Sequence, residues 1–139
     1  MTCWVMDEHL DIWNVLHDGS IERIDGAVPG ELRVRVGIAY LTERLIPKAD
    51  FLEVVLYGCR RFRLAHWETE TVLRELDAIA ALEPEILSTD SSAMPIEVAT
   101  TIGMLGMDYD GMGLFRDDGA RLEYKTLVDT AERYWDRSS

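Results

Sequence analysis

At 139 residues, the chain is of a size that one hydrophobic core can serve, and a second core would leave too little chain for each. Hydrophobic residues make up 47% and charged residues 29%, which is ordinary globular usage and argues against disorder. No apolar run approaches the roughly 20 residues that cross a bilayer, and residues 1–16 carry Asp7, Glu8 and Asp11 where a signal peptide has a basic start and an apolar run, so a cytoplasmic protein is expected.

The net charge of −12 is unevenly spread. Residues 64–120 hold twelve acidic side chains against only Arg74 and Arg116. Nucleic acid is excluded as a partner for that surface, because phosphate binding needs clustered Lys and Arg. A basic protein partner fits it. The candidate partner-binding residues are Glu68, Glu70, Glu75, Asp77, Asp108, Asp110, Asp117 and Asp118. The plainer alternative is that these acids keep the chain soluble.

Residues 4–16 allow a short helix begun near Asp7, with Leu10, Trp13 and Leu16, or Ile12 and Leu16, on one side. His17-Asp18-Gly19-Ser20 breaks it. An extended stretch from Ile21 follows, with a bulge or turn expected at Asp25-Gly26. Pro29-Gly30 suits a type II turn and leads into the clearest signal in the chain. From Leu32 to Tyr40, Leu32, Val34, Val36, Ile38 and Tyr40 alternate with Arg33, Arg35, Gly37 and Ala39, a period of two that places a core on one side of a strand.

After a loop over 42–50, Leu52, Val54 and Leu56 oppose Phe51, Val55 and Tyr57, as in a central strand covered on both faces. Gly58 marks a bend before a strand over 61–67, where Phe62 and Leu64 alternate with Arg61 and Arg63. The period then changes. Val72, Leu73, Leu76, Ile79 and Ala80 fall on one face of a helix over 70–82, capped by Thr69 or Thr71 and ended by Pro84. Short strands are expected at 86–88 and 96–102. Leu105, Met107 and Tyr109 then lead into a hairpin turn at Asp110-Gly111, and another turn at 117–119 follows residues 113–115. A last helix begins at a capping Thr126 and buries Leu127, Val128, Ala131, Tyr134 and Trp135. Together these elements predict a single α+β domain over residues 1–139, a mainly antiparallel sheet with a middle helix and a C-terminal helix packed on it.

Few residues offer chemistry. Asp108 and Asp110 are spaced like the first ligands of a calcium loop, but Met112 and Gly119 stand where further oxygens would be needed, so no metal is expected. The glycines between 103 and 119 match neither a phosphate loop nor a dinucleotide fingerprint, and no cofactor is expected. His9, His17 and His66 lie at no metal-ligand spacing. Cys3 and Cys59 read as reduced and structural; a thiolate at Cys59, promoted by Arg60, Arg61 and Arg63, is the alternative. His17 beside Asp18 can support general acid or base work. Their structural reading is that both hold the turn before the first strand, with Gly19 supplying its unusual dihedrals. Trp13, Trp67, Tyr134 and Trp135 are expected to close the core at element ends. Met104, Met107 and Met112 offer an adaptable contact patch.

Trp13-Asn14-Val15-Leu16-His17-Asp18-Gly19, leading into Ile21 and Ile24, a turn and an alternating strand, resembles the opening of small bacterial families, some of them grouped with immunity proteins of polymorphic toxin systems. The resemblance covers about the first third of the chain. It implies an α+β domain that binds a toxin and blocks it without catalysis of its own. The expectation is therefore a non-catalytic binding protein that neutralises a basic toxin through its acidic surface. Two other readings stand beside it: a small metal-dependent or acid/base enzyme using His17 and Asp18, with Asp108 and Asp110 around any divalent ion, and a structural or regulatory domain that self-associates through a sheet edge or an apolar strand face.

Overall fold

The computed structural model describes residues 12–38, 50–89, 95–123 and 125–130. Its strands in chain order are β1 (Ser20–Gly26), β2 (Gly30–Gly37), β3 (Leu52–Cys59), β4 (Arg61–His66), β5 (Val72–Leu73), β6 (Ile86–Thr89), β7 (Ile96–Thr100), β8 (Gly103–Asp108) and β9 (Gly111–Arg116). They form a four-stranded sheet, β1-β2-β3-β9, and a five-stranded sheet, β5-β4-β8-β7-β6. Every pairing is antiparallel. With the helix Leu76–Ala81 and helical residues at 12–15 and 125–130, the fold is α+β and mainly antiparallel.

The two sheets share their central strands. β3 runs into β4 across Arg60, and β8 runs into β9 across Tyr109 and Asp110. Because β3 pairs with β9 and β4 with β8, the four strands make one long ribbon that passes from one sheet to the other. The free sides meet as well. Asp18 N–H donates to Ile86 O at 2.7 Å, Ile86 N–H to Gly19 O at 2.8 Å, and Ile21 N–H to Pro84 O at 2.9 Å, bridging the start of β1 to the start of β6. Followed around, β1, β2, β3/β4, β8/β9, β7 and β6 return to β1 as a ring of main-chain hydrogen bonds.

The alternation read in the sequence is what fills this ring. Leu32, Val34 and Val36 of β2, with Ile38, are buried, as are Leu52, Val54 and Leu56 of β3, Phe62 and Leu64 of β4, Ile96 and Val98 of β7, and Leu105 and Met107 of β8. All belong to one hydrophobic cluster. Val55 points to the other face of β3 and is also buried, but Phe51, Glu53 and Tyr57 on that face are only half-buried, so the second face is covered in part and not fully as expected. Ile12, Trp13 and Leu16 enter the same cluster from the helical turn, and Ile79 enters it from the helix Leu76–Ala81.

Several local expectations are corrected. The middle helix is shorter than 70–82, because Val72 and Leu73 pair with Ala65 and Leu64 instead of coiling. Its N-cap is Glu75, with no side-chain cap hydrogen bond, while Thr69 and Thr71 bond each other in the preceding turn. Its end is as expected: Glu83, before Pro84, has φ 47°, outside the helical region. Asp110-Gly111 is not a hairpin turn, since β8 and β9 pair with β4 and β3 and not with each other; the turn of that region joins β7 to β8, where Thr100 Oγ1 accepts from Ile102 N–H and Gly103 N–H. Gly30 has φ 146°, far from the roughly 80° of the second central residue of the type II turn expected there. The irregularity of β1 lies between Ile21 and Arg23, not at Asp25-Gly26. Thr126 is inside its helix and not at its cap, for Leu127 N–H already bonds Glu123 O at 3.2 Å. Leu127 is buried as expected. The readings that involve Cys3, Asp7, His9, Leu10, Ala39, Tyr40, the loop from 42 to 49, Ala131, Tyr134 and Trp135 fall outside the described residues. No helix among the described residues is long and apolar enough to cross a membrane.

Candidate functional site

The acids singled out by the sequence lie in three places. Glu68 and Glu70 stand in the turn between β4 and β5, and Glu75 and Asp77 at the start of the helix Leu76–Ala81; all four are exposed. Asp108 and Asp110 sit at the corner where the ribbon changes sheets. Asp117 and Asp118 follow the far end of β9, about 20 Å from Asp110 at the usual rise of a strand.

The corner acids serve the corner. Gly58 takes φ 61° there, a conformation that glycine adopts without a Cβ penalty, and a Cβ on it would overlap the Asp110 carboxylate. Arg60 N–H donates to Asp108 O at 2.7 Å and Asp110 N–H to Tyr57 O at 2.8 Å. The Arg60 guanidinium then reaches Asp108 at 2.6 Å and Asp110 beside it. The hydrogen bonds it donates to Asp108, then to Asp110, hold it charged well above the ordinary arginine range. Of the last pair, Asp117 accepts from Asp50 N–H, tying the chain after β9 to the chain before β3, and Asp118 accepts from Ala120 N–H within its own turn.

The β4–β5 edge presents a different surface. Outward positions on β4 are Arg61, Arg63 and Ala65, and Trp67 continues that phase. Trp67 was expected to close the core; instead it is 51% exposed, because its position in the alternation faces away from Phe62 and Leu64. It is nevertheless fixed, by its N–H to Ile102 O at 3.1 Å and by its indole Nε1–H to Thr100 O at 2.8 Å. Val72, paired with Ala65, is exposed on the same face. The edge therefore holds an aromatic ring fixed by hydrogen bonds and an apolar neighbour, with Glu68 and Glu70 exposed beside them in the β4–β5 turn and Glu75 and Asp77 exposed beyond the other end of β5.

Further along β4 is a cleft of about 510 Å³ lined by Val28, Arg60, Arg61, Phe62, Arg63 and Arg74. In a chain of net charge −12 it gathers four arginines. The run Arg60-Arg61-x-Arg63 was visible in the sequence, but only the register of β5 against β4, with Leu73 opposite Leu64, carries Arg74 to the level of Arg63.

The remaining candidates for chemistry take structural places. His17 Nδ1 donates to Asn14 O at 2.8 Å, and its Nε2 is 4.0 Å from Asp18. Asp18, not Gly19, has the unusual backbone, with φ 69°. Gly19 is required by close approach instead, since a Cβ there would lie 2.8 Å from Val36 Cγ1 and 2.9 Å from Leu16 O. Cys59 is free and fully buried, with its Sγ–H donating to Arg61 O at 3.3 Å. Burial pushes its thiol upward, the reverse of what a reactive thiolate requires. His66 is half-buried, its Nδ1 accepting from Glu68 N–H. Met107 and Met112 are wholly buried, so the methionines do not form the contact patch expected of them. Among the described residues no group of three or more His, Cys, Asp or Glu is placed to hold a metal ion. No family model, no curated protein and no solved structure matches the chain.

Proposed function

We propose that this chain is a non-catalytic binding protein that docks a basic protein partner through the β4–β5 edge, in the manner of an immunity protein covering a basic toxin. The observation that carries this reading is Trp67, an exposed aromatic ring held by main-chain and indole hydrogen bonds and followed directly by the exposed acids Glu68 and Glu70 of the β4–β5 turn. Aromatic anchors dominate interface energetics when they enter a partner's pocket, and surrounding acids steer a basic partner and raise its encounter rate. The structural places taken by His17, Asp18, Cys59, Asp108 and Asp110 also support binding over catalysis.

The reading is tested by capture of basic chains on the immobilised protein at low and moderate salt. A basic chain held by the wild type is expected to be lost with Trp67→Ala, and with Glu68→Lys combined with Glu70→Lys, each loss being about tenfold or more in affinity. Capture should also weaken with salt. Retention of the same chain by both variants, with no salt dependence, would remove the edge as the docking surface. A folded dimer that buries Trp67 would replace the reading with self-association.

A further inference from the structure

We propose that the cleft between the β1–β2 tip and the β4–β5 edge binds a small molecule bearing a phosphate group, held by Arg61, Arg63 and Arg74. The proposal does not depend on partner docking at the edge. Its first support is an electrostatic conflict. Arg63 and Arg74 come to the same level on neighbouring strands, by continuation of the Leu64–Leu73 pairing, and Arg61 follows two residues along the same face of β4. Like charges side by side on a sheet are destabilising. Arg60 resolves its own charge on Asp108 and Asp110, whereas Arg61, Arg63 and Arg74 make no ion pair among the described residues. A bound anion would relieve the crowding.

The second support is shape. Arg63 lies across Gly106, its Nε 3.4 Å and its Cγ 3.7 Å from where a Cβ would stand, so the missing side chain on β8 provides a shelf for the arginine stem. The volume of about 510 Å³ is that of a small-ligand site, which spans roughly 300–1,000 Å³.

The third is stoichiometry of charge and geometry. A carboxylate presents two oxygens and is satisfied by one bidentate arginine, whereas a phosphate monoester dianion presents three and draws on several guanidinium forks. Three uncommitted arginines match the latter. A polynucleotide fits poorly, because its chain would have to run beyond the cleft over a surface of strongly negative net charge, where the long-range field opposes it. A compact phosphate compound meets chiefly the local positive charge.

Isothermal titration calorimetry of the full chain with pyrophosphate, a nucleoside monophosphate, a hexose phosphate, succinate and a single-stranded oligonucleotide tests the proposal. Saturable binding of at least one of the three phosphate compounds is expected, weakened about tenfold or more in Arg63→Gln combined with Arg74→Gln. Arg33→Gln, on β2 and outside the cleft, should leave it unchanged. The three phosphate compounds distinguish an isolated phosphate site from one that also reads a base or a sugar. The double variant replaces exposed residues, and an unchanged circular dichroism spectrum and melting temperature confirm its fold. Absence of binding by all three phosphate compounds overturns the proposal. So does binding that survives the double substitution, equal binding of succinate, or oligonucleotide binding much tighter than that of the mononucleotide.

Discussion

Replacing Trp13 by alanine is expected to cost about 3–5 kcal/mol of folding stability, the range for truncating a buried Phe or Trp. Trp13 is wholly buried and heads the largest fully buried side chains. Its indole also does more than fill space. Trp13 Nε1–H donates to Tyr109 Oη at 3.1 Å, tying the helical turn at 12–15 to the point where β8 leaves one sheet for the other. Truncation therefore opens a cavity and strips the buried Tyr109 hydroxyl of a donor. Urea denaturation of Trp13→Ala checks this through a lower midpoint; an unchanged midpoint would mean that the turn contributes nothing to the core.

The second large effect is a loss of stability in alkali. Burial pushes the Tyr109 hydroxyl up to about 12, against the smaller lowering effect of the Trp13 hydrogen bond. The folded state thus holds the proton where the unfolded chain, with an ordinary tyrosine near pH 10, releases it. This contribution is fully present below pH ~10 and is lost as the pH rises to ~12, on the order of 2–3 kcal/mol for a shift of about two units. Cys59, also raised by burial, adds a loss of the same sign above the ordinary thiol range. Tyr109→Phe should be less stable at neutral pH by about 1–3 kcal/mol, because Trp13 Nε1–H is left buried without that acceptor. Its stability should then fall less steeply between pH 10 and 12. Parallel alkaline curves for wild type and variant would contradict the role given to Tyr109.

The sheets were legible where residues alternate without interruption. Leu32 to Ile38, Leu52 to Leu56 and Phe62 to Leu64 each show which face a core must cover, and each is buried on that face. What alternation does not encode is pairing. Leu105, Met107 and Tyr109 followed by Asp110-Gly111 fit a hairpin locally, yet the strands on either side pair with β4 and β3. That outcome is set by distant partners and by the Arg60 bridge to Asp108 and Asp110. The same non-locality shortened the middle helix: the spacing of Val72 and Leu73 suits a helix, but the open side of β4 offers hydrogen bonds that the isolated segment lacks.

The site was partly legible in the same sense. Acidic residues were visible as a count over 64–120, but a count does not separate those at the β4–β5 edge from those holding the corner and the last turn. Trp67 carried a readable signal, since Phe62, Leu64 and His66 fix the inward phase of β4 and leave 67 on the opposite one. Its exposure follows from that arithmetic. The cleft arginines needed the fold, because Arg74 is eleven positions from Arg63 in the chain and reaches it only through the β5 register.

The most direct test of edge docking compares two sets of acids in one capture experiment. One variant neutralises Glu68, Glu70, Glu75 and Asp77 to their amides, and the other does the same to Asp108, Asp110, Asp117 and Asp118. The first is expected to fold like the wild type and lose the basic partner. The second is expected to melt at a lower temperature, yet keep the partner when assayed well below that temperature. Loss of the partner with the second set and retention with the first would contradict docking through the β4–β5 edge.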